Sequence, residues 1–257
     1  MDVLRKELNL IYESQHLEKE NLDSTLIEKA KREARILADI GLGCAVITDA
    51  SCDRCYIFSN TLCALLGLTD RVKSESQSDS SDEDEIYMRM HPEDLVEKRM
   101  LEYEFFKFVN TLPPEKKMSC KATCCIRIKD RNGEYRYINN STQLVQLSPS
   151  GMMWLILCCY NLSPVKTTGS GIEPRIINCL SGEITPLSFY DRRNTILSQR
   201  EKEIMLLIQE GKLSKQIAAE LGISINTVNR HRQNIIEKLS VSNSIEAITA
   251  AKAMNLL

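Results

Sequence analysis

Three positions near the end of the chain leave little choice of local fold. Ala218, Gly222 and Val228 stand four and then six residues apart within Ser214 to Leu239. A small residue lets two helices cross closely. A glycine takes the left-handed turn that ends the first helix. An apolar residue six further on packs the second helix onto the first. The spacing predicts a helix-turn-helix. Before it, Ser198 with Glu201 reads as a capping box, Ile204, Leu207 and Ile208 form a buried stripe, and Gly211 ends the helix. Ser214 is expected to cap a helix over Lys215 to Leu221, and Ser224 to cap the next. That third helix has Val228, Arg232 (by its stem) or His231, Ile235 and Leu239 as its buried stripe. A fourth is read over Ser244 to Met254, with Ile245, Ile248 and Ala251 along one face.

The exposed stripe of the third helix is then Asn226, Asn229, Arg230 and Gln233, with no acid among them. Surface helices ordinarily mix acids and bases, whereas a carboxylate facing phosphates would be repelled. The second helix of such a unit enters the DNA major groove, where Arg reads guanine and Asn or Gln reads adenine.

Leu197-Ser-Gln-Arg-Glu, Glu210-Gly-Lys-Leu-Ser-Lys-Gln-Ile-Ala, Ile223-Ser-Ile-Asn-Thr-Val, and His231 followed by Ile235, Lys238-Leu239 and Val241 resemble the four-helix LuxR-type DNA-binding domain. The resemblance covers about sixty residues. It implies that Asn229, Arg230 and Gln233 face bases, that Lys215, Thr227, Arg232 and Lys238 mainly face phosphates, and that the fourth helix carries a dimer contact. The family commonly has Lys where this chain has Asn229, so its target sequence does not transfer.

Upstream the periodicity changes. Ala45-Val-Ile-Thr-Asp and Cys55-Tyr-Ile-Phe-Ser read as strands, and Asn60 as the cap of a short helix, Thr61 to Leu66, closed by Gly67. His91-Pro-Glu-Asp-Leu opens a helix running to about Leu112, because Pro suits the first turn and acids suit its positive end. From Lys121 to Lys129 apolar and polar residues alternate, the mark of a half-buried strand. Asp130-Arg-Asn-Gly133 supplies a hairpin turn, Glu134 to Leu147 a second strand, Pro149-Ser-Gly151 another turn, and Met152 to Tyr160 the last strand. This order, the His-Pro-Glu-Asp helix start and the Ile-Lys-Asp-Arg-Asn-Gly-Glu-Tyr hairpin resemble a PAS domain over about 125 residues. The expected fold class is an α+β PAS-like antiparallel-sheet domain followed by an all-α four-helix LuxR-type domain. The expected boundaries are 1–38 for a helical, partner-facing segment, 39–163 for the PAS-like domain, 164–194 for a linker with a possible hairpin at Ile176-Ile-Asn and Glu183-Ile-Thr, and 195–257 for the DNA-binding domain.

Composition narrows the classes further. The chain of 257 residues is 43% apolar and 26% charged with a net charge of −2, ordinary for a soluble protein. Residues 198–257 hold eight basic and six acidic residues, a balance of +2 against −4 elsewhere. The longest apolar run, Met152 to Tyr160, is far short of the roughly 20 residues of a membrane span, and no signal peptide is visible, so a cytoplasmic protein is expected. Ten cysteines lack a framework pattern, and the adjacent pairs Cys124-Cys125 and Cys158-Cys159 are split by the pleat, which fits reduced thiols. Cys52-Asp-Arg-Cys55 is half a zinc site without its second half, and reads as a turn. His91 reads as a structural helix start rather than a haem ligand, and Asn60-Thr-Leu-Cys-Ala-Leu-Leu-Gly lacks most of a flavin photosensor motif. No cofactor and no metal are expected, and no catalytic constellation is present. Ser74 to Glu85 is acidic and low in complexity, and reads as a solvated insertion. Trp154 reads as core. The expected partners are double-stranded DNA, a second copy of the chain, and a small-molecule or protein signal at the PAS-like domain. The alternative is a ligand- or partner-binding PAS module whose C-terminal helices serve dimerisation.

Overall fold

Alternating apolar residues commit the middle of the chain to long antiparallel strands. The computed structural model describes residues 3–59, 61–68, 75–78, 84–165, 171–189, 197–239, 241–253 and 256. It divides into two compact units, Leu8–Leu187 and Ser188–Leu257 together with Met1–Glu7.

The first unit is built on an eight-stranded antiparallel sheet. Its strands are β1 (Cys44–Asp49), β2 (Arg54–Ser59), β3 (Glu75–Ser78), β4 (Cys120–Lys129), β5 (Tyr135–Leu147), β6 (Met153–Leu162), β7 (Arg175–Asn178) and β8 (Ile184–Pro186). Their order across the sheet is β3-β2-β1-β6-β5-β4-β7-β8. Each hairpin has its own turn chemistry. Between β4 and β5, the Asp130 carboxylate accepts from the Asn132 and Glu134 amides at 2.8 and 3.0 Å, and Gly133 takes φ +84°. Between β5 and β6, Gly151 takes φ +81° and its amide donates to the Ser148 carbonyl at 2.9 Å.

Two long helices, Ser24–Gly41 and Pro92–Asn110, take opposite faces of this sheet. Helix α1 spans Val3–Glu13 and α2 spans Ser24–Gly41. Asp23 caps α2 by accepting from the Thr25 amide. The small residues Ala30, Ala34 and Ala38 bring α2 against Ala45, Ile47, Phe58, Leu155 and Leu157, with Trp154 in the same core. The short helices α3 (Thr61–Leu66), α4 (Asp84–Tyr87) and α6 (Pro114–Lys117) accompany α5, Pro92–Asn110. His91 caps α5, its ring nitrogen accepting from the Glu93 amide at 3.3 Å. From α5, Lys98 reaches Thr142, which pairs across the sheet with Cys158. Leu157 and Cys158, neighbours on β6, thus point to the α2 and α5 sides respectively.

Two sequence expectations change here. Residues 175–186, read as a linker with a possible hairpin, form that hairpin and extend the sheet with it: β8 pairs with β7, turning at Gly182 with φ +74°, and β7 pairs with β4. The backbone groups along the β4 edge need partners, and the alternation within β4 does not reveal which strand supplies them. Residues 74 and 79–83 of the acidic stretch lie outside the described residues, as does Asn60, but Glu75–Ser78 within it pairs with β2 as an edge strand. The cysteines behave as read: all ten are free, with Cys124 and Cys158 buried and their neighbours half-buried. Burial pushes the Cys124 thiol up to about 12. Trp154 is buried, its indole N–H donating to Asp49 at 3.0 Å.

The second unit carries four helices, α7 (Gln199–Gln209), α8 (Ser214–Leu221), α9 (Ile225–Lys238) and α10 (Ser244–Ala253). Ile204, Met205, Leu207, Ile217, Ala218, Val228, Ile235, Leu239, Ala247, Ala250 and Ala251 are its buried apolar residues along these helices. Met205 is buried where the sequence pointed to Ile208. Ile245 stands exposed while three alanines form the buried face of α10. Met254 lies outside the described residues.

Candidate nucleic-acid interface

Helix boundaries in the second unit follow from capping. The Ser198 hydroxyl accepts from the Glu201 amide at 3.3 Å, and the Glu201 carboxylate accepts from the Ser198 amide at 2.7 Å, closing the capping box of α7. Gly211 (φ +81°) and Gly222 (φ +65°) take the left-handed conformation after α7 and α8. At Gly222 no atom lies within 4 Å of a built Cβ, so its requirement is conformational rather than steric. Ser224 caps α9, accepting from the Thr227 amide at 3.0 Å. Ser214 does not cap α8 as expected. Leu213 occupies that position, and Gln216 turns back to accept from the Leu213 amide at 2.8 Å. With the first turn closed by Gln216, the Ser214 hydroxyl is left for another donor.

That donor is Arg232. Its Nη1 donates to Ser214 Oγ at 2.9 Å, while Nε and Nη2 donate to Ser244 Oγ at 3.3 and 3.1 Å. One guanidinium thereby ties the first turns of α8 and α10 to the middle of α9. Lys238 is engaged in a similar way. Its ammonium meets Glu201 at 2.6 Å, on the carboxylate that also closes the α7 capping box. Burial pushes the Glu201 carboxyl up, but Lys238 and the Ser198 donors outweigh it and hold the group below its ordinary value. Arg232 and Lys238, expected from the resemblance to face phosphates, also hydrogen-bond within the domain.

The remaining site residues fall differently. Asn229, Arg230 and Gln233 are exposed together with Asn226, at positions that share one face of α9. No acid occurs in α9 before Glu237. Lys215 is exposed on the first turn of α8. Thr227 is half-buried, its hydroxyl 2.8 Å from that of Ser224. Periodicity identified the exposed row. It missed the roles of Ser214 and Ser244, because a serine in a first turn looks like a cap whether or not it is used as one. The capping box was the one available sign that Glu201 matters, and it gave no hint of Lys238.

The first unit holds a second polar assembly. On the α5 side of the sheet, the buried Lys98 ammonium pairs with Glu102, which also accepts from the Tyr87 hydroxyl at 3.0 Å. Among the described residues one trio of ligand-type side chains gathers, His91, Glu93 and Asp94. The Arg127 guanidinium lies on it, donating to Glu93 at 3.0 Å and to Asp94 at 2.5 Å. Burial and that cation hold His91 below its usual value. An imidazole whose Nδ1 accepts a backbone N–H, beside two carboxylates that both already pair with one arginine, fits a helix start rather than a metal centre. Among the described residues no helix is long and apolar enough to cross a membrane.

Residues 195–251 match the family of bacterial regulatory proteins called the luxR family, GerE. The transcriptional regulatory protein DesR of Bacillus subtilis is 50% identical over 56 residues, which cover 22% of this chain and 28% of DesR. The transcriptional activator protein EsaR of Pantoea stewartii is 31% identical over 121 residues, covering 46% and 45%. The chain thus spans less than half the length of these curated relatives, both of which are transcriptional regulators. A crystal structure of a phage VqmA–DPO complex aligns over 91% of this chain and 93% of that one at 15% identity, but with a TM-score of 0.31, too low to relate the two folds. What the matches and the geometry share is one region: the C-terminal domain is a LuxR-type helix-turn-helix domain of the kind found in bacterial transcriptional regulators.

Proposed function

We propose that the chain is a cytoplasmic, sequence-specific DNA-binding transcription regulator that works as a pair of copies. The observation that carries the reading is the exposed, acid-free row Asn226, Asn229, Arg230 and Gln233 on α9. In this reading Arg230 reads guanine, Asn229 and Gln233 read adenine, and Lys215 and Thr227 meet phosphates. Arg232 and Lys238 act by holding α9 at a fixed angle to its neighbours. Their positive charge adds to the field at the DNA, while each also hydrogen-bonds within the domain, to Ser214 and Ser244 or to Glu201. Two copies would present their α9 helices to successive major grooves, about one DNA turn apart.

The sheet domain, in the same reading, is a PAS-like sensor that biases this pairing through a small molecule or protein. Its support is the order of elements: two strands, short helices with the edge strand β3 between them, the long α5, then three antiparallel strands, the last inserted between β1 and β5. The buried Lys98–Glu102–Tyr87 assembly adds to it, because a charged pair in a core is weak evidence for stability alone.

The test is fluorescence anisotropy of the chain against duplex fragments of its own genome at low and near-physiological salt, beside Arg230→Ala. Contacts with several phosphates make affinity fall steeply with salt. Loss of Arg230 is expected to cost about 1–3 kcal/mol on preferred fragments and little on random DNA. A folded chain that binds no duplex at either salt, and whose residues 190–257 bind none either, would refute the reading.

A further inference from the structure

The apolar residues of α9 are Ile225, Val228, Ile235 and Ile236. Val228 and Ile235 are buried and Ile236 is half-buried, whereas Ile225, the first residue of the helix, is 44% exposed. A single exposed isoleucine is ordinary on a protein surface. What distinguishes this one is its place. Ile225, Asn229 and Gln233 stand four residues apart, so they form one row along the helix, each about 6 Å beyond the last. Asn226 and Arg230, also four apart, form the next row. Ile225 therefore opens the same face that carries the exposed amides and the guanidinium. Its position is fixed. The Ser224 hydroxyl caps the helix by accepting from the Thr227 amide at 3.0 Å, and a β-branched side chain in a helix keeps one strongly preferred rotamer.

We propose that Ile225 selects thymine, by packing against its 5-methyl group in the major groove. Ile225 has this role only if α9 enters the groove as proposed above, and it adds one base to those that α9 reads. The N-terminal residues of a recognition helix are the ones that contact base edges. Of the four bases only thymine presents an apolar group there, and an apolar side chain is its complement. Thr227 and Val228, the other β-branched residues of this turn, are half-buried and buried, and the Thr227 hydroxyl lies 2.8 Å from that of Ser224. Ile225 is thus the exposed apolar side chain of the first turn. Its row agrees with the assignment. Amides such as those of Asn229 and Gln233 suit adenine, so the row Ile225, Asn229, Gln233 fits a stretch of A·T pairs with a thymine methyl at the end that Ile225 reaches. The contact carries no charge, so unlike a phosphate contact it is indifferent to salt.

Selection of duplexes from a random pool by the full chain, followed by anisotropy on the enriched duplex, tests it. Each thymine of that duplex is replaced in turn by deoxyuridine, which lacks only the 5-methyl group. At the thymine that meets Ile225 the affinity is expected to fall about fourfold per methyl removed, the worth of one buried methyl group. Ile225→Ser is expected to bind the thymine duplex at least as weakly as the intact protein binds the uracil duplex. It should lose nothing more when that methyl is removed, because both changes delete one contact. Both losses should be equal at low and near-physiological salt. Ile225 is exposed, so the thermal midpoint of the variant should stay near that of the intact protein, separating lost contact from lost folding. Tight binding in which no thymine methyl matters, or a methyl loss as large in Ile225→Ser as in the intact protein, overturns the inference and leaves DNA recognition by α9 standing. A pool from which no duplex is enriched removes both.

Discussion

Arg232 sits on the helix proposed to meet DNA, carries a positive charge, and turns that charge inward to two serine hydroxyls. Its two roles are separable. If Arg232 acts as a staple, Arg232→Ala removes charge-assisted hydrogen bonds and lowers unfolding stability by about 1–3 kcal/mol in urea titration of the full chain. The slope of log affinity against log salt then stays nearly constant. A phosphate ligand would instead cost little stability and reduce that slope by about one. Glu201 makes a pH-dependent contribution. Its folded carboxyl lies below the ordinary value, so its stabilisation is fully present above the unfolded value near pH 4.3 and is lost as pH falls through the folded value. Glu201→Gln can keep the acceptor for the Ser198 amide but loses the charge opposite Lys238. Denaturant midpoints of this variant between pH 3 and 7 are expected to be lower at neutral pH, by on the order of 1 kcal/mol, and to converge on those of the intact protein as acid protonates Glu201.

At the scale of elements, the turn between α8 and α9 decides where the exposed row points. Gly222 has φ +65° and open space around it, so Gly222→Ala should strain only the backbone, at about 1–2 kcal/mol. Thermal unfolding would show a lowered midpoint, and DNA affinity measured on the folded fraction would be nearly unchanged. A large loss of affinity in a fully folded variant would mean that the turn had re-angled α9. The helices of this unit were legible because each boundary has a local cause: a serine, a glycine, an apolar stripe of period 3.6. Ser214 was misread because two residues competed for one cap. Gln216 closed the turn from within the helix, and only the position of Arg232, eighteen residues later, reveals what the serine does.

At the scale of the whole molecule, two units of different architecture share one chain. If the sheet unit governs DNA binding through pairing, residues 190–257 alone should keep the sequence preference of the full chain but bind more weakly and without dependence on the first unit. Anisotropy on the same duplexes compares the two directly. Equal affinity under every condition tested would leave the sheet unit without a role in binding. The sheet was partly legible as well. Alternation marked β4 to β6, turn chemistry marked their hairpins, and the possible hairpin of Ile176-Ile-Asn with Glu183-Ile-Thr forms as β7 and β8, but its place on the edge of β4 was not legible because Pro174, Gly182 and Pro186 surround four- and three-residue strands.

The sequence by itself determined the helices of the C-terminal domain, the Ser198 and Ser224 caps, and the residues of the exposed α9 row, because those features depend on neighbours within about four positions. Tertiary structure decided what distant residues do to one another. It sent Arg232 to Ser214 and Ser244, set Lys238 on Glu201, laid Arg127 over Glu93 and Asp94, and left Ile225 uncovered. Those outcomes depend on which surfaces meet when the chain closes on itself, and periodicity along a helix or strand carries no record of that.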